Sequence, residues 1–168
     1  YLDTLKTQAT KYSKTEFNVE ATLDTGIEGF ELVKLTGNFD RLDCNEDGFV
    51  LRVIDYKTGK PKTRGEISGT TKNSDGNYKR QLTFYALLLS LQNDDKLRCN
   101  NGRLSFVEPD GKGVIKEEDF VISDEEIMEL KESIIKATKE IVSGECLKST
   151  CDPDKTDFCP LVESLKRK

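Results

Sequence analysis

The chain predicts an α/β fold, a sheet flanked by helices, and three observations carry that expectation. Apolar and polar residues alternate over Phe17-Asn-Val-Glu-Ala-Thr-Leu23, the period-two pattern of a half-buried strand. Asp47-Gly48 separates two strand-like segments and is a strong hairpin signal. Two later stretches, around Leu82–Leu89 and Ile127–Ile141, carry their apolar residues at helical spacing instead. A length of 168 residues suits one domain with a sizeable core.

Taken in order, Leu2 to Tyr12 reads as the tail of a helix, and Phe17 to Leu23 as a strand turning at Asp24-Thr25-Gly26. Phe30 to Asp43 and Phe49 to Lys57 form the hairpin. Thr58 to Asn77 holds Gly59, Pro61, Gly65, Gly69 and Gly76 and is expected to be a mobile surface loop. Tyr78 to Leu91 is a helix, apolar on nearly every side beyond Leu82, so its C-terminal half should be buried. Arg103 to Glu108 and Gly113 to Val121 pair as strands across Asp110-Gly111. Ser123 and Glu126 form a capping box for an amphipathic helix with the stripe Ile127, Leu130, Ile134, Ala137 and Ile141, stopped at Gly144. The acids Asp124 to Glu126 in its first turn suit the helix dipole and need no functional explanation.

The hairpin carries the most informative residues. With Asp47-Gly48 as a two-residue loop, Glu46 opposes Phe49, and counting back sets Asp40 opposite Asp55 and Asp43 opposite Arg52. Alternation of side chains then gathers Asp40, Asp55 and Lys57 on one face, while Asp43 pairs with Arg52 on the other. Opposed like charges on adjacent strands are destabilising. A bridging divalent cation is the simplest reason to keep Asp40 and Asp55 together, which marks them and Lys57 as functional and Asp43 as structural. This is the pattern of a metal-dependent phosphodiester-cleaving site.

Composition narrows the chemistry. Histidine is absent, which excludes nucleophile–histidine pairs and His-ligated zinc, and leaves acid–base work to carboxylates, lysine, tyrosine or metal-bound water. The net charge of −5 is unevenly spread. Bases crowd Lys57 to Arg80 and acids dominate Glu108 to Glu132, so one face could bind phosphates while the rest confers solubility. No apolar run reaches the length of a membrane span, and no signal-peptide pattern is present. The first residue is Tyr rather than Met, which points to a domain taken from a longer polypeptide. The five cysteines, Cys44, Cys99, Cys146, Cys151 and Cys159, are odd in number and favour a reducing, cytoplasmic compartment over a disulfide framework.

The order Gly-x-x-Asp at Gly37–Asp40, Asp-Tyr-Lys-Thr at Asp55–Thr58 and Gln-x-x-x-Tyr at Gln81–Tyr85 resembles the RecB-like nucleases of the PD-(D/E)XK superfamily. Such domains occur at the C-termini of RecB, AddA, AddB and some UvrD-like helicases, and resemble the nucleases attached to CRISPR adaptation systems. The likeness runs from about Glu20 to Tyr85, with a weaker echo in Cys151 to Cys159.

The resemblance implies a restriction-endonuclease-like fold with a central mixed sheet flanked by helices. It also implies a DNA exonuclease of bacterial or archaeal repair and recombination, little sequence specificity, and a helicase in the same chain or complex. It makes Asp40, Asp55 and the Tyr56 carbonyl ligands for Mg²⁺ or Mn²⁺; the family's upstream histidine is absent, and either it lies before Tyr1 in a longer chain or Glu20 serves as an additional ligand. Lys57 becomes the catalytic lysine, with Gln81 and Tyr85 beside the scissile phosphate. Lys60, Lys62, Arg64, Lys79 and Arg80 are the candidate DNA-backbone contacts. Some relatives hold an iron–sulfur cluster on an upstream cysteine and a C-terminal trio. Cys146, Cys151 and Cys159 are spaced more loosely than that trio and lack an upstream fourth, so free thiols or a disulfide are expected rather than a 4Fe–4S cluster. The rival readings are a catalytically degenerate DNA-binding scaffold of a helicase complex and an RNA-acting or CRISPR-linked nuclease.

Overall fold

A computed structural model describes residues 12–147. Strands β1 (Lys14–Asp24), β2 (Leu32–Cys44) and β3 (Val50–Lys57) are followed by helices α1 (Arg64–Ser68) and α2 (Asn77–Ser90), then by β4 (Asn101–Phe106), β5 (Glu117–Val121) and α3 (Asp124–Val142). Short 3₁₀ turns at Asp95–Leu97 and Glu145–Leu147 complete the order. The strands form one sheet in the order β1-β2-β3-β4-β5, antiparallel throughout except for the parallel β3–β4 pair. A parallel neighbour needs a crossover, and α1 and α2 supply it. The mixed sheet flanked by helices is the restriction-endonuclease-like α/β architecture the sequence predicts. Contacts divide the chain into two compact units, residues 1–130 and 131–168, and the first holds the whole sheet, α1 and α2.

Helix α2 packs on one face of the sheet because its apolar residues all but encircle it. Leu82, Leu87, Leu88 and Leu89 are essentially inaccessible, as are Leu23, Phe39, Leu42, Leu104 and Phe106 from the strands. Each such side chain contributes about 2 kcal/mol by leaving water. Close approach requires Gly37, where an added Cβ would lie 2.4 Å from Leu88 Cδ1. The first turns of α3 are anchored by Ile127 and by the expected capping box, Ser123 N–H donating to Glu126 and Glu126 N–H to Ser123. Among the described residues no helix is long and apolar enough to cross a membrane.

Two local expectations need correction. The span Thr58 to Asn77 is not loop throughout, since α1 interrupts it and buries Ile67. Its signal was present as a second capping box, Thr63-Arg-Gly-Glu66, whose side chains and backbone N–H groups satisfy one another. The hairpin loop is also longer than two residues. Asn45 opposes Phe49 through its N–H at 2.9 Å, leaving Glu46, Asp47 and a left-handed Gly48 (φ 86°) as the loop. That change alone would slip the register by one and turn every following side chain over. A bulge restores it: Cys44 pairs with Val50 but Asp43 with Arg52, so Leu51 is extra and Arg41 pairs with Ile54. Asp40 and Asp55 therefore come next to each other in the line, as the shorter loop had implied.

Candidate active site

The ladder between β2 and β3 stops at Arg41–Ile54, and the residues beyond it line the site. Without a β2 carbonyl opposite, the Tyr56 N–H donates to Asp40 Oδ2 at 2.7 Å. A backbone N–H lies in the plane of the sheet, so Asp40 does not stand up from the face as simple alternation requires. Its neighbour Phe39 occupies that face instead, with its ring centroid 4.5 Å from that of Tyr85. The Lys57 carbonyl accepts from Val107 on the β4 side, at 2.9 Å. Alternation along β3 therefore directs the Tyr56 carbonyl the other way, into the gap beside Asp40.

Asp55 and Lys57 do project toward α2, and there they join a closed ring of side chains. Lys57 Nζ donates to Gln81 Oε1 at 2.5 Å, and Gln81 Nε2 donates to the Tyr85 hydroxyl at 2.8 Å. That hydroxyl lies 3.1 Å from the Asn38 carbonyl and 3.4 Å from Asp55 Oδ1, to which its proton is shared. Asp55 Oδ2 closes the ring 2.6 Å from Lys57 Nζ. Helical spacing puts Gln81 and Tyr85 one turn apart on one face, which is why a single helix can span both ends of the strand motif. Gln81 joins Lys57 to Tyr85 because its amide carries an acceptor oxygen and a donor nitrogen on one terminus.

The electrostatics are unbalanced. Asp55 is almost wholly buried, and desolvation raises its carboxyl above the ordinary range; Lys57 and Tyr85 oppose the shift and Asp40 adds to it. Burial and the Asp55 charge push the Tyr85 phenol up to about 12, so it remains protonated at neutral pH. Asp55 Oδ2 has the Lys57 charge beside it but no well-directed hydrogen bond, an unusual state for a buried carboxylate oxygen. Oxygen donors from Asp40, Asp55 and the Tyr56 carbonyl suit a hard cation such as Mg²⁺ or Mn²⁺, with water completing the coordination. Among the described residues no group of three or more Asp, Glu or Cys side chains is gathered for a metal.

The other expected residues are placed less uniformly. Glu20 is not brought to the site. It lies on β1 opposite Thr36, between the buried Val19 and Ala21, and pairs with Lys34 at 2.8 Å on the exposed face. Lys60 and Lys62 lie just after Lys57, and neither has an ion pair among the described residues. Arg80 is exposed and held by the Asn77 side chain and the Asp75 carbonyl. Lys79 is tied to Glu126 at the start of α3, and Arg64 reaches β5, donating to the Asp119 carbonyl at 2.8 Å and lying over Phe120. Cys44 and Cys99 are buried free thiols and Cys146 is exposed, while Cys151 and Cys159 lie outside the described residues. Sequence reasoning missed Asn38, whose contribution is a backbone carbonyl, and Tyr78. The latter was findable, because Tyr78, Gln81 and Tyr85 form one helical stripe.

The mixed sheet, its flanking helices and the Asp55–Lys57 pair beneath α2 make this an α/β domain with a buried acid–lysine site. The sequence profile of the PD-(D/E)XK nuclease superfamily matches residues 1–163, and the chain belongs to that superfamily. A comparison with curated proteins gives no match.

Proposed function

We propose that this domain is a metal-dependent deoxyribonuclease of the RecB/AddB-like type. It would hydrolyse phosphodiesters from DNA ends with little sequence specificity, in repair or recombination and beside a helicase. The observation that carries this reading is the ring Lys57–Gln81–Tyr85–Asp55, which holds a cation against a buried carboxylate with one oxygen left without a directed hydrogen bond.

Held by Asp40, Asp55 and the Tyr56 carbonyl, Mg²⁺ or Mn²⁺ would polarise the phosphodiester and acidify a water molecule. Asp40 is kept in place by the Tyr56 N–H, so both carboxylates are oriented before substrate arrives. Lys57, held between Gln81 and Asp55, places its N–H groups where the phosphorane gains negative charge. Tyr85 holds its proton, which makes it a support for Asp55 rather than a base. Lys60 and Lys62 contact the strand backbone, and such contacts position DNA without reading it.

The test is incubation with linear single- and double-stranded DNA, and with RNA, in Mg²⁺, Mn²⁺ or EDTA. DNA degradation that needs metal and disappears in Asp55→Ala supports the enzyme. Binding without degradation under every metal supports the scaffold, and preferential loss of RNA overturns the substrate assignment.

A further inference from the structure

The helical stripe that carries Gln81 and Tyr85 begins one turn earlier with Tyr78, and this residue has no part in the hydrogen-bonded ring. Its side chain faces the same strand end, with its ring centroid 6.3 Å from that of Phe106, which is paired with Lys57 across β3 and β4. Two ammonium groups sit against that one ring, Lys57 Nζ at 4.7 Å and Lys62 Nζ at 4.4 Å from its centroid. Among the described residues the Tyr78 hydroxyl makes no hydrogen bond, so the aromatic face is the part in use.

We propose that Tyr78 is a positioning residue whose ring aligns Lys57 with Lys62, so that the two cations meet neighbouring phosphates of one strand. This rests on the nuclease reading above. The physical reason is that an aromatic face attracts a cation through its quadrupole while forming no directed bond that substrate must break. Asp55 and Gln81 fix Lys57 from the strand and the helix, and Tyr78 packs against it from a third side. Lys62 has no ion pair among the described residues, and the ring gives this exposed lysine a defined place beside Lys57.

The inference is tested with Tyr78→Leu and Tyr78→Phe, each checked for its melting temperature. With DNA and Mn²⁺, the leucine variant is expected to lose about tenfold in kcat with KM changed far less, and the phenylalanine variant to recover most of that loss. Wild-type kcat in Tyr78→Leu, or an equal loss in both variants, overturns the proposal. An activity-independent readout separates it from the nuclease reading. Ring currents should shift the Lys57 ε-methylene resonances upfield in the wild type and in Tyr78→Phe, but not in Tyr78→Leu. If the wild type cuts no DNA while those shifts behave as stated, the nuclease reading fails and the positioning contact stands. If the shifts are absent from the wild type, the positioning contact fails whatever the activity.

Discussion

The two faces of strand β3 both carry charges and treat them in opposite ways. Toward α2 stand Asp55 and Lys57, and on the reverse face stand Arg52 and Tyr56 amid Arg41, Asp43, Arg103 and Asp119. On the reverse face nearly every charge is matched. Arg41 lies 2.6 Å from Asp43, Arg52 lies 3.4 Å from Asp43 and 3.8 Å from Asp119, and Arg103 grips Asp119 at 2.7 Å. Among the described residues, Arg52 Nε is the one buried side-chain atom on that face without an acceptor. The Arg103 hydrogen bond holds Asp119 below the ordinary carboxylate range, whereas burial drives Asp55 above it. Charges on a saturated face stabilise one another. On the α2 face burial holds Asp55 at a cost, as the proposed catalytic role requires.

Substitutions on each face should separate these roles. The largest effect belongs to Lys57→Ala, expected to lower DNA cleavage by about 10³-fold or more while circular dichroism and much of the DNA binding stay at wild-type level. Cleavage at the wild-type rate would remove Lys57 from the chemistry. Asp43→Ala should do the reverse. It removes the carboxylate paired with the buried Arg41, and denaturant titration should report a loss of about 3 kcal/mol, with kcat per folded molecule unchanged. Gln81→Leu opens the ring without removing a charge, and single-turnover cleavage should fall by about ten- to a hundredfold.

The smallest effects are in stability against pH, and they have opposite signs on the two faces. The folded-state pKa of Asp55 is raised, so its contribution is fully present below the ordinary 3.8 and is lost as pH rises through the folded value. Measured with a chelator present, Asp55→Asn should therefore melt at the same temperature as wild type in acid and a few degrees higher at neutral pH. The folded-state pKa of Asp119 is depressed, so its contribution is present above 3.8 and is lost as pH falls through the folded value. Asp119→Asn should melt slightly lower than wild type at neutral pH, with the difference closing in acid. Equal signs for the two variants would break the contrast between the faces.

Much of this contrast is legible in the sequence. Period-two alternation marks Asp43 for the reverse face and pairs it with Arg52, and the salt bridge forms as counted. Helical spacing puts Gln81 and Tyr85 on one face of one helix. The two-residue loop count is short by one and succeeds only because a bulge at Leu51 compensates, which no local rule predicts. Glu20 is assigned by analogy to a missing histidine, and its strand parity already points it away from the buried face.

What the sequence determined by itself was the set of elements and the residues each presents, because backbone periodicity and turn chemistry act within a few residues of one another. Which of those residues meet was decided by tertiary structure. The parting of β2 and β3 turns Asp40 toward the Tyr56 N–H, the parallel β3–β4 crossover brings α2 over Lys57, and burial under that helix raises Asp55. Desolvation and ring closure depend on groups tens of residues apart. Their energies arise only when the chain is packed, so no window along the sequence contains them.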